Sequence, residues 1–495
     1  MIASLTKAAA LEAAGRTELS PRAVGTLHSH AYQRLDTPVI AEKGKPLKAF
    51  NEWVPIGSYR LSAGTGSLDS SVEMANYTTD GDRLMAEAST LRARMVAQEL
   101  WPREVRHFHG LWCEFKQDSG TLDFTDLIEQ ALERVDLQGC SVLMVDEAQD
   151  MSRLEMALAH KWGEQSGQFV MVGDPDQAIF SFRGADPEVF YAQQAKSEHV
   201  LSQSYRVPKA VHARAVEWIE RVEGRVPVEY KPTDIEGRCD VNYGLCFKDP
   251  SPIVSKAMEL PGTVMILASC GYMLNPIISE LRRRAIPFHN PYRPAHGGWN
   301  PLGGARRLLA YLRPHGEVWG DEARVWTWKD VYAWVEVLQA KGVLTPGAKT
   351  FLKSKATTLG RLEEEEIACD LETLYRQMEG ESMMAASSGD IEWWAKHLLH
   401  DAAKRQRFCL DVARKHGARM LRETPKIIVS TIHGTKGGEA DNVIISPDLS
   451  RAAYWEQWMP RDQRASTQRL YYVGMTRARH RLILCGTSTS EAVEW

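Results

Sequence analysis

Apolar residues along this chain fall into two kinds of pattern. In the first, a continuous, β-rich run ends abruptly in polar residues. Ser141-Val142-Leu143-Met144-Val145 leads into Asp146-Glu147-Ala148-Gln149-Asp150, and Phe169-Val170-Met171-Val172 into Gly173-Asp174-Pro175-Asp176-Gln177. Ile427-Ile428-Val429-Ser430-Thr431 leads into Ile432-His433-Gly434-Thr435-Lys436-Gly437-Gly438. Runs without alternation suit strands buried on both faces, as in parallel α/β sheets. Open sheets of that kind bind ligands beyond the carboxyl ends of their strands, where these polar clusters fall. One polar turn after a core strand means little, whereas three in one chain point to chemistry.

The second pattern is helical. Met85–Leu100 reads as a helix, and Val331, Trp334, Val335 and Leu338 fall at i, i+3, i+4 and i+7 on one helix face. The latter lies in a Trp-rich stretch, 290–420, that opens with Pro/Gly-rich Asn290–Gly304. The pairs Trp326/Trp328 and Trp393/Trp394 are read as packing rather than as a base-stacking platform. Together the patterns predict two α/β cores, each interrupted by a mostly helical insertion.

Composition narrows the class. At about 150 residues per domain, 495 residues predict three or four domains. With 44% hydrophobic and 25% charged residues, disordered, collagen-like and coiled-coil chains are excluded. Lys+Arg 60 against Asp+Glu 64 gives a net charge of −4, which argues against wrapping nucleic acid by bulk charge but leaves room for a local basic groove. No apolar run reaches the ~18 residues of a membrane span, and the start lacks signal-peptide order. The eight cysteines form no CxxC pair and no Cys/His metal spacing, which fits a reduced, cytosolic protein.

Asp146-Glu147 directly after a buried strand is a Walker-B arrangement. The aspartate can hold Mg²⁺ on nucleotide phosphates and the glutamate can polarise an attacking water. An acidic helix N-cap looks the same in isolation. The continuation Val172-Gly173-Asp174-Pro175-Asp176-Gln177-Ala178-Ile179-Phe180-Ser181-Phe182-Arg183-Gly184-Ala185 makes the pattern specific.

In order, these stretches resemble the UvrD/Rep-type DNA helicases of superfamily 1, and the resemblance covers nearly the whole chain. Val172–Ala185 is similar to that family's motif III, which implies that Gln177 senses the γ-phosphate and that Phe182, with Arg183 beside it, stacks on single-stranded DNA. Such stacking tolerates any sequence and is worth about 1–3 kcal/mol per base. Of the alternating Phe180 and Phe182, core burial suits one better than both. Gln203-Ser204-Tyr205-Arg206 is similar to motif IV, which implies Arg206 on the phosphates and Tyr205 by the base. Thr263–Leu267 followed by Leu274–Phe288 resembles a strand–helix unit of the second core. Ser430–Glu439 is similar to motif V, which implies that Thr431, His433 and Lys436 meet the DNA backbone while Gly437 and Glu439 approach the nucleotide. Gln468–Ala478 is similar to motif VI, in which Arg477 matches the arginine finger, a group worth about 10³–10⁵ in rate in other nucleotide hydrolases. Ala3–Ala10 is similar to motif Ia, and Gly25-Thr26-Leu27-His28-Ser29-His30 to motif Ib, whose threonine and histidine contact DNA phosphates. No carboxylate or cysteine is spaced to make His28 or His30 a metal ligand.

The fold class the resemblance implies is α/β, with two RecA-like parallel-sheet cores of P-loop NTPase type. Core 1A would take 1–35 and 120–204, with insertion 1B at 36–119. Core 2A would take 205–289 and 421–495, with the helical insertion 2B at 290–420. The implied ligands and partners are ATP, Mg²⁺ on Asp146, and single-stranded and duplex DNA, with no membrane. The implied activity is ATP-driven 3′→5′ translocation and unwinding in the cytoplasm, associated with the nucleoid.

One part of the family pattern is missing. No GK[ST] occurs in the sequence, and Gly-rich Leu61–Asp69 has no lysine and follows motif Ib. The chain opens inside motif Ia. The expectation is therefore a first core without its phosphate loop or first strand, with exposed edges and poor ATP hydrolysis. A misplaced gene start, a separate N-terminal chain supplying the phosphate loop, and a catalytically inactive DNA-binding remnant remain open. With Trp495 coming soon after motif VI, a fused nuclease domain is not the expectation for this chain.

Overall fold

The computed structural model describes residues 1–4, 15, 19–20, 22–62, 79–293, 297–359, 368–456 and 461–495, with only the backbone described at 358–359 and 461–464. The chain divides into two compact units, the first comprising Met1–Cys246, Leu267–Met273 and Thr431–Trp495, the second Phe247–Ile266 and Leu274–Ser430. Ten strands are described: β1 (Ile2–Ser4), β2 (Val24–Thr26), β3 (Val142–Val145), β4 (Gln168–Met171), β5 (Arg238–Asn242), β6 (Val264–Ala268), β7 (Phe288–His289), β8 (Ile427–Thr431), β9 (Ala440–Ile445) and β10 (Ala478–Cys485). No described helix is long and apolar enough to cross a membrane.

In the first unit, a four-stranded sheet has the order β2-β1-β3-β4, and its neighbours all run parallel. The apolar runs at 141–145 and 169–172 thus form adjacent strands, with Leu143 opposite Phe169 and Val145 opposite Met171. One face is covered by α1 (Leu27–Arg34) and, from later in the chain, by helices at Phe124–Arg134 and Arg153–Glu164. Leu143 and Val145 are fully buried there with Leu27, Ile128, Leu158 and Trp162. Ser152 starts the 153–164 helix with a capping box, its hydroxyl accepting from Glu155 N–H while Glu155 accepts from Ser152 N–H, so two orphan amides at the helix start are satisfied. The other face is thinly covered, with Met144 41% and Val172 40% exposed. The same unit holds strands in the order β5-β10-β9, again parallel.

Between β2 and β3 lie α2 (Gly44–Trp53), α3 (Asp80–Ala93), α4 (Arg103–Ser119) and α5 (Phe124–Arg134). The helix expected at Met85–Leu100 begins earlier and stops at Ala93. Phe50, Leu84, Phe108 and Trp112 form a separate apolar cluster in this insertion. Beneath it Arg92 donates to Asp123, Asp126 and Glu129, and Lys116 to Asp123. A buried Trp112 Nε1–H gives Asp123 a further donor at 2.9 Å.

The second unit holds strands in the order β6-β8-β7, with β6 buried throughout. Its core is aromatic: Trp326, Trp334 and Trp394 are buried, and Tyr311 stacks on Trp394 with ring centroids 5.8 Å apart. Val331, Trp334, Val335 and Leu338 all lie in that core, as their helical spacing predicts.

Candidate active site and nucleic-acid interface

Three turns of the first unit converge: those after β3, β4 and β8. After β3 the chain bends so sharply that Glu147 takes φ +58°, ψ +38°, the left-handed region that non-glycine residues rarely enter. Local bonds hold it there. Asp146 Oδ1 accepts from Glu147 N–H at 3.0 Å, and Gln149 Nε2 donates to Glu147 Oε2 at 2.6 Å. Backbone outliers of this kind concentrate at functional sites, where surrounding contacts over-determine them. Gln149 is fully buried and its Oε1 accepts from Asp174 N–H at 3.0 Å, tying this turn to the one after β4.

In the turn after β4, Asp174 accepts from Asp176 N–H and also from Gln177 Nε2, at 2.7 Å. Burial pushes the Asp174 carboxyl above the usual range. Asp176 is gripped by Arg225 through two bonds of 2.8 and 2.9 Å.

After β8, Thr431 Oγ1 accepts from Gly434 N–H at 3.2 Å and ends the strand; Gly437, at φ +83°, lets the loop turn back. Lys436 thereby enters the acidic turn. Its Nζ lies 3.1 Å from Glu147 Oε2, pairs with Asp150, and donates to Gln177 O at 2.9 Å. Burial drives the Glu147 carboxyl upward, but Lys436, Gln149 and Arg477 outweigh it and hold the group below its ordinary value. Burial likewise lowers Lys436, against the pull of Glu147.

Arg477 closes the group from the end of α6 (Arg461–Met475). It is only 1% exposed, donates from Nε to Val473 O at 2.9 Å, and reaches Gln177 Oε1 at 3.1 Å and Gly438 O at 3.3 Å. Glu147, Gln177, Lys436 and Arg477 are therefore one cluster, with Asp146 at its edge.

A second group adjoins it. Phe180 is buried and Phe182 half-buried, their ring centroids 6.0 Å apart. His433 packs edge-on against Phe182 at 5.4 Å, and the Arg183 guanidinium lies 5.6 Å from the Phe180 ring. His28 Nδ1 is 3.6 Å from Glu155 Oε1, and burial holds its imidazole below the ordinary value despite that carboxylate. Thr26 is the N-cap of α1, its Oγ1 accepting from Ser29 N–H at 3.1 Å.

The structure places the remaining expected residues as follows. Lys436 and Thr431 were expected on a DNA backbone; both are buried, one among carboxylates and the other capping a turn. Glu439, expected near the nucleotide, is exposed and paired with Arg479 at 2.9 Å. Gly437, expected there too, is an exposed turn residue. Tyr205 is 92% exposed, and the buried Arg206 Nε has no partner. Motif Ia from Leu5 to Ala10 and the glycine-rich segment from residue 63 onward lie outside the described residues. Sequence reasoning gave no role to Asp150, Gln149 or Arg225, although the first two stand inside the motif that led to Glu147.

Among the described residues no group of three or more His, Cys, Asp or Glu side chains is placed to hold a metal ion. A divalent cation at Asp146 would therefore need phosphate and water oxygens for most of its shell. The Lys436 ammonium, enclosed by Glu147 and Asp150, shows that the cluster accommodates positive charge.

Residues 2–198 match the UvrD/REP helicase N-terminal domain and residues 405–489 the UvrD-like helicase C-terminal domain. The chain is similar to an ATP-dependent helicase/nuclease subunit of Listeria monocytogenes serotype 4b (strain F2365), with 30% identity over 163 residues, 28% of this chain and 12% of that protein. It is 24% identical over 153 residues to the ATP-dependent DNA helicase Rep of Buchnera aphidicola subsp. Acyrthosiphon pisum, covering 28% of this chain and 24% of that protein. The corresponding helicase/nuclease subunit of Natranaerobius thermophilus is 37% identical over 89 residues, 16% of this chain and 7% of that protein. The matched stretch is thus at most about a quarter of each of these relatives.

Proposed function

The chain belongs to the UvrD/Rep-type superfamily 1 helicases, and on that premise we propose that it works as the motor of an ATP-dependent DNA helicase, translocating 3′→5′ on single-stranded DNA and unwinding duplex. The observation that carries the reading is the meeting of Glu147 and Gln177 with Lys436 and Arg477, residues some three hundred positions apart. In this reading, Glu147 takes a proton from the attacking water, Gln177 senses the γ-phosphate, and Arg477 faces the charge that develops on it. A divalent cation held by Asp146 supplies charge neutralisation on the phosphates when bound. Arg206 and Tyr205 meet the phosphates and base of the nucleotide, while Phe182, Arg183, His433, His28 and Thr26 form the surface for the strand. We assign 1–35 and 120–204 to core 1A, 36–119 to 1B, 205–289 and 421–495 to 2A, and 290–420 to 2B. We place it in the cytoplasm of a bacterial or phage-infected cell, at the nucleoid.

The sequence favours a second reading alongside the first: with no GK[ST], this chain is a split-helicase subunit or an inactive DNA-binding remnant. One experiment separates the remnant from a motor that takes its phosphate loop from a further segment or chain. ATP hydrolysis is measured with and without single-stranded DNA, for the chain alone and with a GxxxxGK[ST] segment added in cis or as a partner chain. The helicase and split-subunit readings both expect DNA-stimulated turnover only when the segment is present, in cis for the first and also as a partner chain for the second, and loss of most of it in Glu147→Gln. No turnover with the segment present, while strand binding persists, establishes the remnant.

A further inference from the structure

The loop after β8 touches both groups of residues described above. Its His433 packs against Phe182, and three residues on Lys436 lies between Glu147 and Asp150 and 5.5 Å from the Phe180 ring. His433 and Lys436 are locked into one short turn, with Lys436 N–H donating to His433 O at 3.4 Å. The turn is hinged on its far side by Gly437 at φ +83°. A displacement of His433 is therefore transmitted to the lysine that neutralises Glu147.

We propose that Lys436 is a strand-sensing latch. With no strand bound, it pairs with Glu147 and Asp150. A nucleic-acid phosphate arriving beside Phe182 and His433 draws the ammonium out of the cluster and leaves Glu147 unneutralised. Lys436 is then a positioning residue for the proposed base and the element that couples strand binding to it. The idea rests on the reading of Phe182 and His433 as a strand-binding surface, and goes beyond it by giving the empty state a defined lock. The chemistry is symmetrical: one ammonium is shared between two protein carboxylates and an incoming phosphate, so weakening the carboxylate side must strengthen the phosphate side.

The test uses the full chain and a fluorescent oligothymidylate, with affinity measured across a salt series. Glu147→Gln, nearly isosteric, is expected to tighten binding several-fold. The slope of log affinity against log salt is expected to stay as in wild type, because both make the same phosphate contact once bound, whereas Lys436→Met is expected to flatten it by about 0.7, the contribution of one phosphate contact on a single strand. Asp150→Asn is a second variant on the same ammonium and is expected to act in the same direction. In a Lys436→Met background, Glu147→Gln is expected to change neither quantity. Unchanged affinity in both carboxylate variants, an unchanged slope in Lys436→Met, or an undiminished effect of Glu147→Gln without Lys436, overturns the latch. Failure of the wild-type chain to bind the oligonucleotide instead overturns the functional reading beneath it.

Discussion

At the scale of single residues, Glu147 separates a chemical role from a conformational one. The left-handed backbone at this position costs an ordinary residue about 1–2 kcal/mol, which glycine avoids. Glu147→Gly and Glu147→Ala both remove the carboxylate that faces Lys436. Their difference in chemical denaturation therefore isolates the backbone, and the glycine variant is expected to be more stable by about 1 kcal/mol. Equal stabilities would show that the turn relaxes on substitution. Arg477 gives the converse case, in which geometry rather than charge is at stake. Its planar fork reaches Gln177 Oε1, Gly438 O and Val473 O at once. Lysine keeps the charge but cannot span all three acceptors, so Arg477→Lys is expected to destabilise the chain by about 1–3 kcal/mol in a denaturant titration. Sequence order alone identified both residues through their neighbours, but it could not supply φ at position 147. Nor could it show that Lys436 turns inward, because the choice between carboxylates and solvent depends on how three turns meet.

At the scale of elements, the insertion between β2 and β3 is organised around buried charge. Arg92 and Lys116 share Asp123, whose carboxyl they hold below its ordinary value although burial opposes this. Beside them burial, reinforced by Arg92 and Lys116, pushes the His109 imidazole down to about 4. The unfolded chain takes up this proton near 6.5 and the folded chain only near 4. Stability from this group is therefore complete above pH 6.5 and falls as the pH drops toward 4. Between pH 7 and pH 5 the loss is about 2 kcal/mol, and thermal melts at the two pH values are expected to converge in His109→Gln. A wild-type melting temperature that does not move over this range would show that His109 titrates normally. The α3 helix was partly legible from the run at Met85–Leu100, and the 328–335 helix from its apolar spacing, although Leu338 lies beyond its end. The charge network was not, because Arg92 and Asp123 are 31 residues apart and become partners only once α3, α4 and α5 have packed.

At the scale of the whole molecule, the strand order β2-β1-β3-β4 leaves β4 with one strand neighbour among the described residues. Met144 faces Val170 in the register between β3 and β4, and alternation puts Val172 on the same side as Val170. Met144 and Val172, at 41% and 40% exposed, thus belong to one apolar face that ends at a strand with no second neighbour among the described residues. Parallel sheets are normally covered on both faces, and an exposed apolar edge strand is a template for pairing with other chains. The chain by itself is therefore expected to self-associate with rising concentration. A charge at the rim interrupts such pairing without disturbing the buried face on which Leu143 and Val145 pack. Val172→Lys is expected to leave folding stability within about 0.5 kcal/mol of wild type and to reduce concentration-dependent light scattering. Leu143→Lys, on the buried face, is expected to unfold the chain and increase it. If Val172→Lys scatters as strongly as wild type while folding equally well, association proceeds through another surface.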